Sequence, residues 1–274
     1  MPERCARAAG VILGRIGYLL LPKRRRVAEE NALRIEPSLS VGEARKIARQ
    51  SFDGLGIMLV EVLLFPFLTK EEIGRRFRLE KKDGADEVIS SGVGFFALGL
   101  HYSNWEITGV VSLLLDRQCV ALARPLKGHE RLNKFVIGLR EATGLKIIPN
   151  KETARDVMRL LRDGQMVAFL GDQREKRSKA VWVELFGHSV PTSKGLVTLA
   201  MKTGAPVVPI YLKRNGFLRY TVICDEPLSI ERSGASRDEL ISRNARHLNA
   251  LIERIVVDMP QDWFLVHRRF GRAS

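Results

Sequence analysis

His101 and Glu106 stand five positions apart in the stretch Leu100-His101-Tyr102-Ser103-Asn104-Trp105-Glu106. On one continuous helix that offset is a rotation of about 140°, at ~100° per residue, and the two side chains could not meet. They can meet if His101 closes a strand and Glu106 opens the next helix. Glu106 is then expected to hold one ring nitrogen of His101, leaving the other free to take a proton. This is the base and the orienting acid of a catalytic triad, with the nucleophile supplied by a hydroxyl of the substrate. A His–Glu spacing by itself recurs by chance, so its weight depends on what surrounds it.

The elements around it can be read from hydrophobic periodicity. Phe95 to Leu100 is a short apolar run of buried-strand type, and Glu106 to Leu115 continues as a helix. Cys119–Ala123, Lys146–Ile148, Met166–Leu170, Val181–Phe186 and Val207–Leu212 read as further strands, and Tyr220–Cys224 as an edge strand. Helices are expected over Leu132–Thr143, Thr153–Arg162, Ser193–Lys202 and Arg237–Val257. This alternation predicts an α/β fold, a mainly parallel twisted sheet with helices on both faces, whose sites gather at the carboxyl ends of strands.

Residues 40–65 read as helical, with Ser40 as cap and Glu43 in the first turn. Within Leu55–Leu68 the only charge is Glu61, so this run is either a core helix or the wall of a lipid-binding surface. Gly10–Leu21 is too short to span a bilayer, is broken by Arg15 and is followed at once by Lys23-Arg24-Arg25-Arg26. It reads as a helix lying in the membrane interface, or else one packing its apolar side on the core. We therefore expect residues 1–70 to form an N-terminal helical, membrane-associating segment packed on an α/β domain over 71–274, the two making one unit.

Residues following the strands are candidates for substrate contact. Arg124, Lys127 and Arg140 come after the second strand and suit phosphate, for which a guanidinium offers paired hydrogen bonds; solvated surface charge is the alternative. Asp172 and Gln173 end the fourth strand and are expected to bind sugar hydroxyls or orient a basic partner, a turn cap being the plainer role. Arg174, Lys176, Arg177 and Lys179 crowd the next loop and could dock an acidic protein.

The chain has 274 residues with 45 Lys+Arg against 31 Asp+Glu, a net +14, which favours phosphate-bearing or acidic partners: nucleic acid, anionic lipid or an acidic carrier protein. With 45% apolar and 28% charged residues it is neither disordered nor a disulfide-stapled mini-protein. The cysteines, Cys5, Cys119 and Cys224, are far apart and form no zinc motif. Aromatic residues make up 7% and none interleaves with the basic clusters, which argues against a nucleic-acid platform.

The stretch His101 to Glu106 is similar to the H-[FY]-x-N-W-E element of the late acyltransferases of bacterial lipid A biosynthesis, a branch of the lysophospholipid acyltransferase (His-x4-Asp/Glu) superfamily. Arg124-Pro125-Leu126-Lys127, Arg140-Glu141, Gly171-Asp172-Gln173, Phe186-Gly187, Thr203 to Pro209, Pro260 to Trp263 and His267 to Phe270 resemble its other segments, in the same order. Glycerol-phosphate acyltransferases of the superfamily usually carry Asp in place of Glu106 and an E-G-T-R-type block in place of Gly171 to Arg174. That difference points away from glycerolipid synthesis.

The resemblance implies a glycerol-phosphate acyltransferase-like fold and transfer of a fatty acyl chain from an acyl carrier protein thioester to a hydroxyl of a phosphorylated glucosamine lipid. His101 and Glu106 would be catalytic, with Asn104, Arg124, Arg140, Asp172 and Gln173 contacting substrate. It implies no cofactor and no metal. The expected partners are acyl carrier protein, a phosphorylated glycolipid and an anionic membrane surface, with no nucleic acid, at the cytoplasmic face of the bacterial inner membrane as a peripheral or monotopic protein. Acylation of another glycolipid, such as a phosphatidylinositol mannoside, is the neighbouring possibility. A non-catalytic basic protein binding anionic membrane or nucleic acid is the alternative of a different class.

Overall fold

The computed structural model describes residues 2–123, 128–149 and 154–271. Helices α1 (Glu3–Leu20), α2 (Pro22–Ile35) and α3 (Val41–Leu64) come first. Pro22 begins α2, where its missing N–H costs nothing, and the chain bends by 98° between α1 and α2. The basic run after Leu21 is thus the first turn of a second helix. Ser40 and Glu43 form a reciprocal capping box at the start of α3.

Helices α1 and α3 cross with their backbones in contact. A Cβ on Gly10 would lie 2.6 Å from Ile57 Cα, one on Gly14 2.3 Å from the Phe52 carbonyl oxygen, and one on Gly56 2.1 Å from the Gly10 carbonyl oxygen. The buried side of α1 is therefore its small residues, Ala6, Gly10 and Gly14. Its large apolar residues, Ile12, Leu13, Ile16, Leu19 and Leu20, are exposed, as are Leu59 and Leu63 of α3 and Phe67 just beyond it.

After α4 (Lys70–Arg76) the chain enters a seven-stranded sheet of order β1-β9-β8-β2-β5-β3-β4. The strands are β1 (Phe77–Lys81), β2 (Phe95–Gly99), β3 (Cys119–Ala123), β4 (Leu145–Pro149), β5 (Met166–Leu170), β8 (Val207–Gly216) and β9 (Arg219–Cys224). Among the described strands of this sheet, only β8 and β9 pair antiparallel. Five strands therefore send their carboxyl ends to one edge. The connecting helices are α5 (Asp83–Ser90), α6 (Val110–Leu115), α7 (Glu130–Glu141), α8 (Ala154–Arg162) and α9 (Gly195–Thr203), with α10 (Arg237–Val256) following β9. A separate antiparallel hairpin, β6 (Ala180–Leu185) and β7 (His188–Ser193), precedes α9.

The fold is the mixed α/β architecture expected, a mostly parallel sheet flanked by helices with a helical N-terminal segment. It differs in detail. Tyr220–Cys224 is not at the edge, because β1 pairs with it register for register from Phe77↔Tyr220 to Lys81↔Cys224. The helix expected from Glu106 is a 3-10 turn over Trp105–Ile107 followed by α6, with Thr108 and Gly109 between them. Gly109 has no room for a side chain, since a Cβ there would lie 2.1 Å from Thr143 Oγ1.

Candidate active site

The candidate site follows from strand register. β2 and β5 are neighbours with Gly99 opposite Leu170, so two residues further on His101 emerges opposite Asp172. The His101 ring Nδ1 lies 2.8 Å from Asp172 Oδ1, and the His101 backbone N–H donates to Asp172 Oδ2 at 3.0 Å. The Trp263 indole N–H donates to the same Oδ2 at 2.7 Å. Asp172 is 2% exposed. Burial alone would raise its carboxyl, but the hydrogen bond and charge of His101, with the Trp263 bond, outweigh it and hold Asp172 below the usual carboxylate range. An ionised carboxylate only accepts, so Nδ1 carries the proton and Nε2 presents its lone pair. Nε2 has no hydrogen-bond partner among the described residues.

Glu106 does not hold the histidine. Its carboxylate takes two bonds from Arg140 of α7, Nε to Oε2 at 2.7 Å and Nη2 to Oε1 at 2.9 Å, and a third from the Trp105 indole at 3.1 Å. The Glu106 bond raises the Arg140 pKa, with burial opposing and charge assisting, and the guanidinium stays protonated. The expectation that Glu106 orients His101 is corrected: the 3-10 turn aims Glu106 toward α7, and the register of β2 and β5 delivers Asp172 instead. Arg140 is accordingly engaged by a protein carboxylate rather than standing as a free phosphate ligand.

The other candidate residues separate into four groups. Gln173 lines the cavity beside His101, with Arg174 and Lys179 at its basic margin. Asn104 is fully buried and off the cavity; its amide donates to Glu61 Oε2 of α3 at 2.9 Å, which corrects its expected place among substrate contacts. Asp172 likewise serves His101 from beneath and is not open to a sugar. Arg124 and Lys127 lie outside the described residues. Lys176 and Arg177 are exposed, and the Arg177 guanidinium sits over Trp182, 5.9 Å from its ring centroid.

The segment from Pro260 to Phe270, which the sequence offers only as stretches resembling the family's, enters the site. Phe264 N–H donates to the His101 carbonyl at 2.9 Å, and Ser103 N–H donates to the Asp262 carbonyl at 2.7 Å, with Ser103 at φ 54°. Phe264 stacks on the His101 ring at 5.9 Å between centroids, and Trp105 packs on both. The same segment ties to the N-terminal helices: Asn31 donates to the Leu265 and His267 carbonyls, Ser51 to that of Trp263 and Arg24 to that of Val266. His267 accepts the Arg174 N–H at 3.1 Å, and burial presses its pKa down to about 4. The signal for these contacts was the aromatic and His content of residues 263–270.

From His101 a cavity of about 970 Å³ runs along the sheet. Its wall on one face is built of small residues at alternate strand positions, Ala97 and Gly99 of β2, Cys119 and Ala121 of β3, and Ala168 of β5. From His101 down to Ala97 is about 13 Å at ~3.3 Å per strand residue, which sets the length of that wall. Val111 and Leu145 line it as well, while Ser193, Lys194 and Thr198 border the other side.

An oriented imidazole above an apolar slot, at the carboxyl edge of a parallel sheet, suits transfer of an acyl chain to a hydroxyl, and the fold and site together define an acyltransferase. The family model described as bacterial lipid A biosynthesis acyltransferase matches residues 1–272, and the chain belongs to that family. It is similar to the lipid A biosynthesis palmitoleoyltransferase of Escherichia coli (strain K12), 24% identical over 273 residues, 95% of this chain and 83% of the relative. Similar too is the lauroyltransferase of that organism, 22% identical over 278 residues with the same coverage. A phosphatidylinositol mannoside acyltransferase of Mycobacterium tuberculosis is 23% identical over 167 residues, covering 59% of this chain and 52% of that protein. Membership of an enzyme family sets aside the reading as a purely non-catalytic basic binder.

Proposed function

We propose that this acyltransferase moves a fatty acyl chain from an acyl carrier protein thioester to a hydroxyl of a lipid A precursor, with His101 as general base and Asp172 as the carboxylate that orients it. The observation that carries this reading is the His101 Nδ1–Asp172 Oδ1 contact of 2.8 Å at the mouth of the apolar slot. Nε2 takes the proton of the acceptor hydroxyl as its oxygen attacks the thioester carbonyl. Asp172 stabilises the imidazolium. Collapse of the tetrahedral intermediate breaks the C–S bond, and the departing thiolate takes the proton back from Nε2, leaving an ester and a free thiol. The slot holds the acyl chain while this occurs. Glu106, gripping Arg140 and Trp105, fixes α7 and the indole against the histidine.

Two features favour the donor and the setting. Exposed Arg174, Lys176, Arg177 and Lys179 lie beside the cavity and form no ion pair among the described residues, which suits an acidic carrier protein. The exposed apolar residues of α1 and α3, beside the basic start of α2, suit a monotopic seat on an anionic membrane, at the cytoplasmic face where such donors are made. Val41–Phe67 is long and apolar enough to cross a bilayer by length and composition, but Ala44, Ala48, Phe52 and Ile57 face the core, so we read it as lying against the membrane.

Mass spectrometry of lipid after incubation with acyl carrier protein thioesters and the tetra-acylated precursor tests this. Wild type should add one acyl mass and His101→Ala none. Addition by both would remove His101 from the mechanism. No addition by wild type, with acylation of a phosphatidylinositol mannoside instead, would favour the acceptor named for the mycobacterial relative.

A further inference from the structure

Glu61 is fully buried in the most apolar stretch of α3, and nothing in the acyl-transfer chemistry uses it. Four donors converge on its carboxylate. Arg214 Nη1 and the Leu218 N–H reach Oε1 at 2.6 and 2.7 Å, while the Tyr220 hydroxyl and Asn104 Nδ2 reach Oε2 at 2.5 and 2.9 Å. Three of these come from the β8–β9 hairpin. The fourth comes from the loop that links His101 to Glu106.

The closing segment holds that loop's backbone at His101 and Ser103, and Asn104 ties its buried side to α3. Asn104 Oδ1 and Ser103 Oγ are buried without hydrogen-bond partners, so the Asn104 side chain is held through its Nδ2, by Glu61 Oε2 and beside the Tyr220 hydroxyl that shares that oxygen. Ser103 stands in the left-handed region, which a non-glycine residue occupies only when its surroundings impose it. On either side of Asn104 lie the groups that must be aimed: His101 with its base nitrogen, Trp105 packed on that ring, and Glu106 on Arg140. A buried carboxylate surrounded by donors is costly to disturb, since removing it strands each donor.

We propose that Glu61 is a positioning residue for acyl transfer: through Asn104 it fixes the His101–Glu106 loop to the helix that carries the exposed apolar stripe. The inference rests on the reading of His101 as base. Glu61→Gln replaces an acceptor with an amide donor, which cannot satisfy all four groups and sets N–H against N–H at Asn104 or at the hairpin.

The test uses full-length protein in detergent micelles, with acyl carrier protein thioesters and the tetra-acylated precursor. Glu61→Gln should lower kcat at least about tenfold with KM for both substrates within about twofold, the split expected when alignment rather than binding is lost. Arg214→Leu removes a donor from the other oxygen, Oε1, and leaves the Asn104 bond to Oε2 in place, so it should keep kcat within about twofold at a comparable loss of Tm. Adding Glu61→Gln to Asn104→Ala should cost less than about threefold more, because both act through one contact. Amide exchange of Ser103–Thr108 should quicken about tenfold in Glu61→Gln and not in Arg214→Leu.

Equal loss of kcat in the Glu61 and Arg214 variants at equal Tm, additive effects with Asn104→Ala, or unaltered kcat with a loosened loop would each overturn the proposal. If wild type turns over none of these substrates, it is the acyl-transfer reading that fails, and exchange still decides whether Glu61 holds the loop.

Discussion

The indole of Trp263 donates to Oδ2 of Asp172 at 2.7 Å, on the carboxylate whose other oxygen meets His101. The His101 imidazole is thus aligned from both sides, by β5 beneath it and by the chain's closing segment. Trp263→Phe keeps an aromatic ring against Phe186 and Phe270 and removes only the donor. A hydrogen bond to a charged group contributes about 1.5–3 kcal/mol, so kcat should fall about tenfold or more with KM little changed. Asp172→Asn, which can present its amide to Nδ1 and favour the wrong tautomer, should cost about 10²–10⁴-fold with the fold intact by circular dichroism. Full activity in Asp172→Asn would return the orienting role to another group.

Glu106 and Arg140 should behave as one unit. Their bidentate contact is partly shielded, with side chains 21% and 34% exposed, so the coupling is smaller than for a fully buried pair. A double-mutant cycle of Glu106→Gln and Arg140→Gln on kcat/KM should give a coupling of about 1–2 kcal/mol. Strict additivity would mean that Glu106 acts on substrate rather than on Arg140.

The slot along the sheet should measure the acyl chain. Ala121 lines it halfway down β3 and is not fully packed, so a larger side chain there fills empty space before it strains neighbours. Ala121→Leu should shift preference toward shorter donors, read by competition between acyl carrier protein thioesters of different length. An unchanged product distribution would place the chain elsewhere in the cavity.

The crossing of α1 and α3 admits no added atoms at its centre. Gly14→Val would drive carbon into the Phe52 carbonyl and should destabilise by about 1–3 kcal/mol or more, seen as a lower Tm. On the outward side, replacing Leu13, Ile16 and Leu63 with Ser should leave Tm and turnover in detergent nearly intact and weaken sedimentation with anionic vesicles. Each large apolar side chain seated in lipid contributes up to about 1.5–3 kcal/mol. Undiminished vesicle binding would locate the membrane face elsewhere.

His267 carries a sign that can be measured. Burial lowers its pKa from the ordinary 6.5 to about 4, with His101, Arg269 and Arg24 acting in the same direction and Asp172 against it. The neutral ring is therefore favoured in the fold. Its contribution to stability is complete above about pH 6.5 and declines as pH falls toward about 4. Between pH 7.5 and 5 the wild-type Tm should drop more than that of His267→Gln, and parallel curves would contradict the buried neutral state.

Much of the scaffold was legible because buried parallel strands are nearly unbroken apolar runs: Phe95–Leu100 and Met166–Leu170 could hardly be anything else. β1 was not, since Arg78, Glu80 and Lys81 alternate with Phe77 and Leu79 and resemble a solvated segment. β7 was missed because Pro191 and the polar residues around it hide the pairing. In the site, His101 was found by type and company. Its partner was assigned by proximity in sequence, whereas pairing in a sheet brings together residues seventy-one positions apart, His101 and Asp172, through the register Gly99↔Leu170. No periodicity encodes that register.

The closing segment also bears on when the enzyme becomes competent. A ribosome-bound chain lacking residues 260–270 already possesses the greasy helices and every strand of the large sheet. It still wants the indole on Asp172, the amide on the His101 carbonyl and the carbonyls that Asn31 and Ser51 grip. Translation thus delivers the exposed apolar helices well before the clasp on His101, so under the proposed membrane seat a nascent chain can settle on a bilayer before it is able to act there.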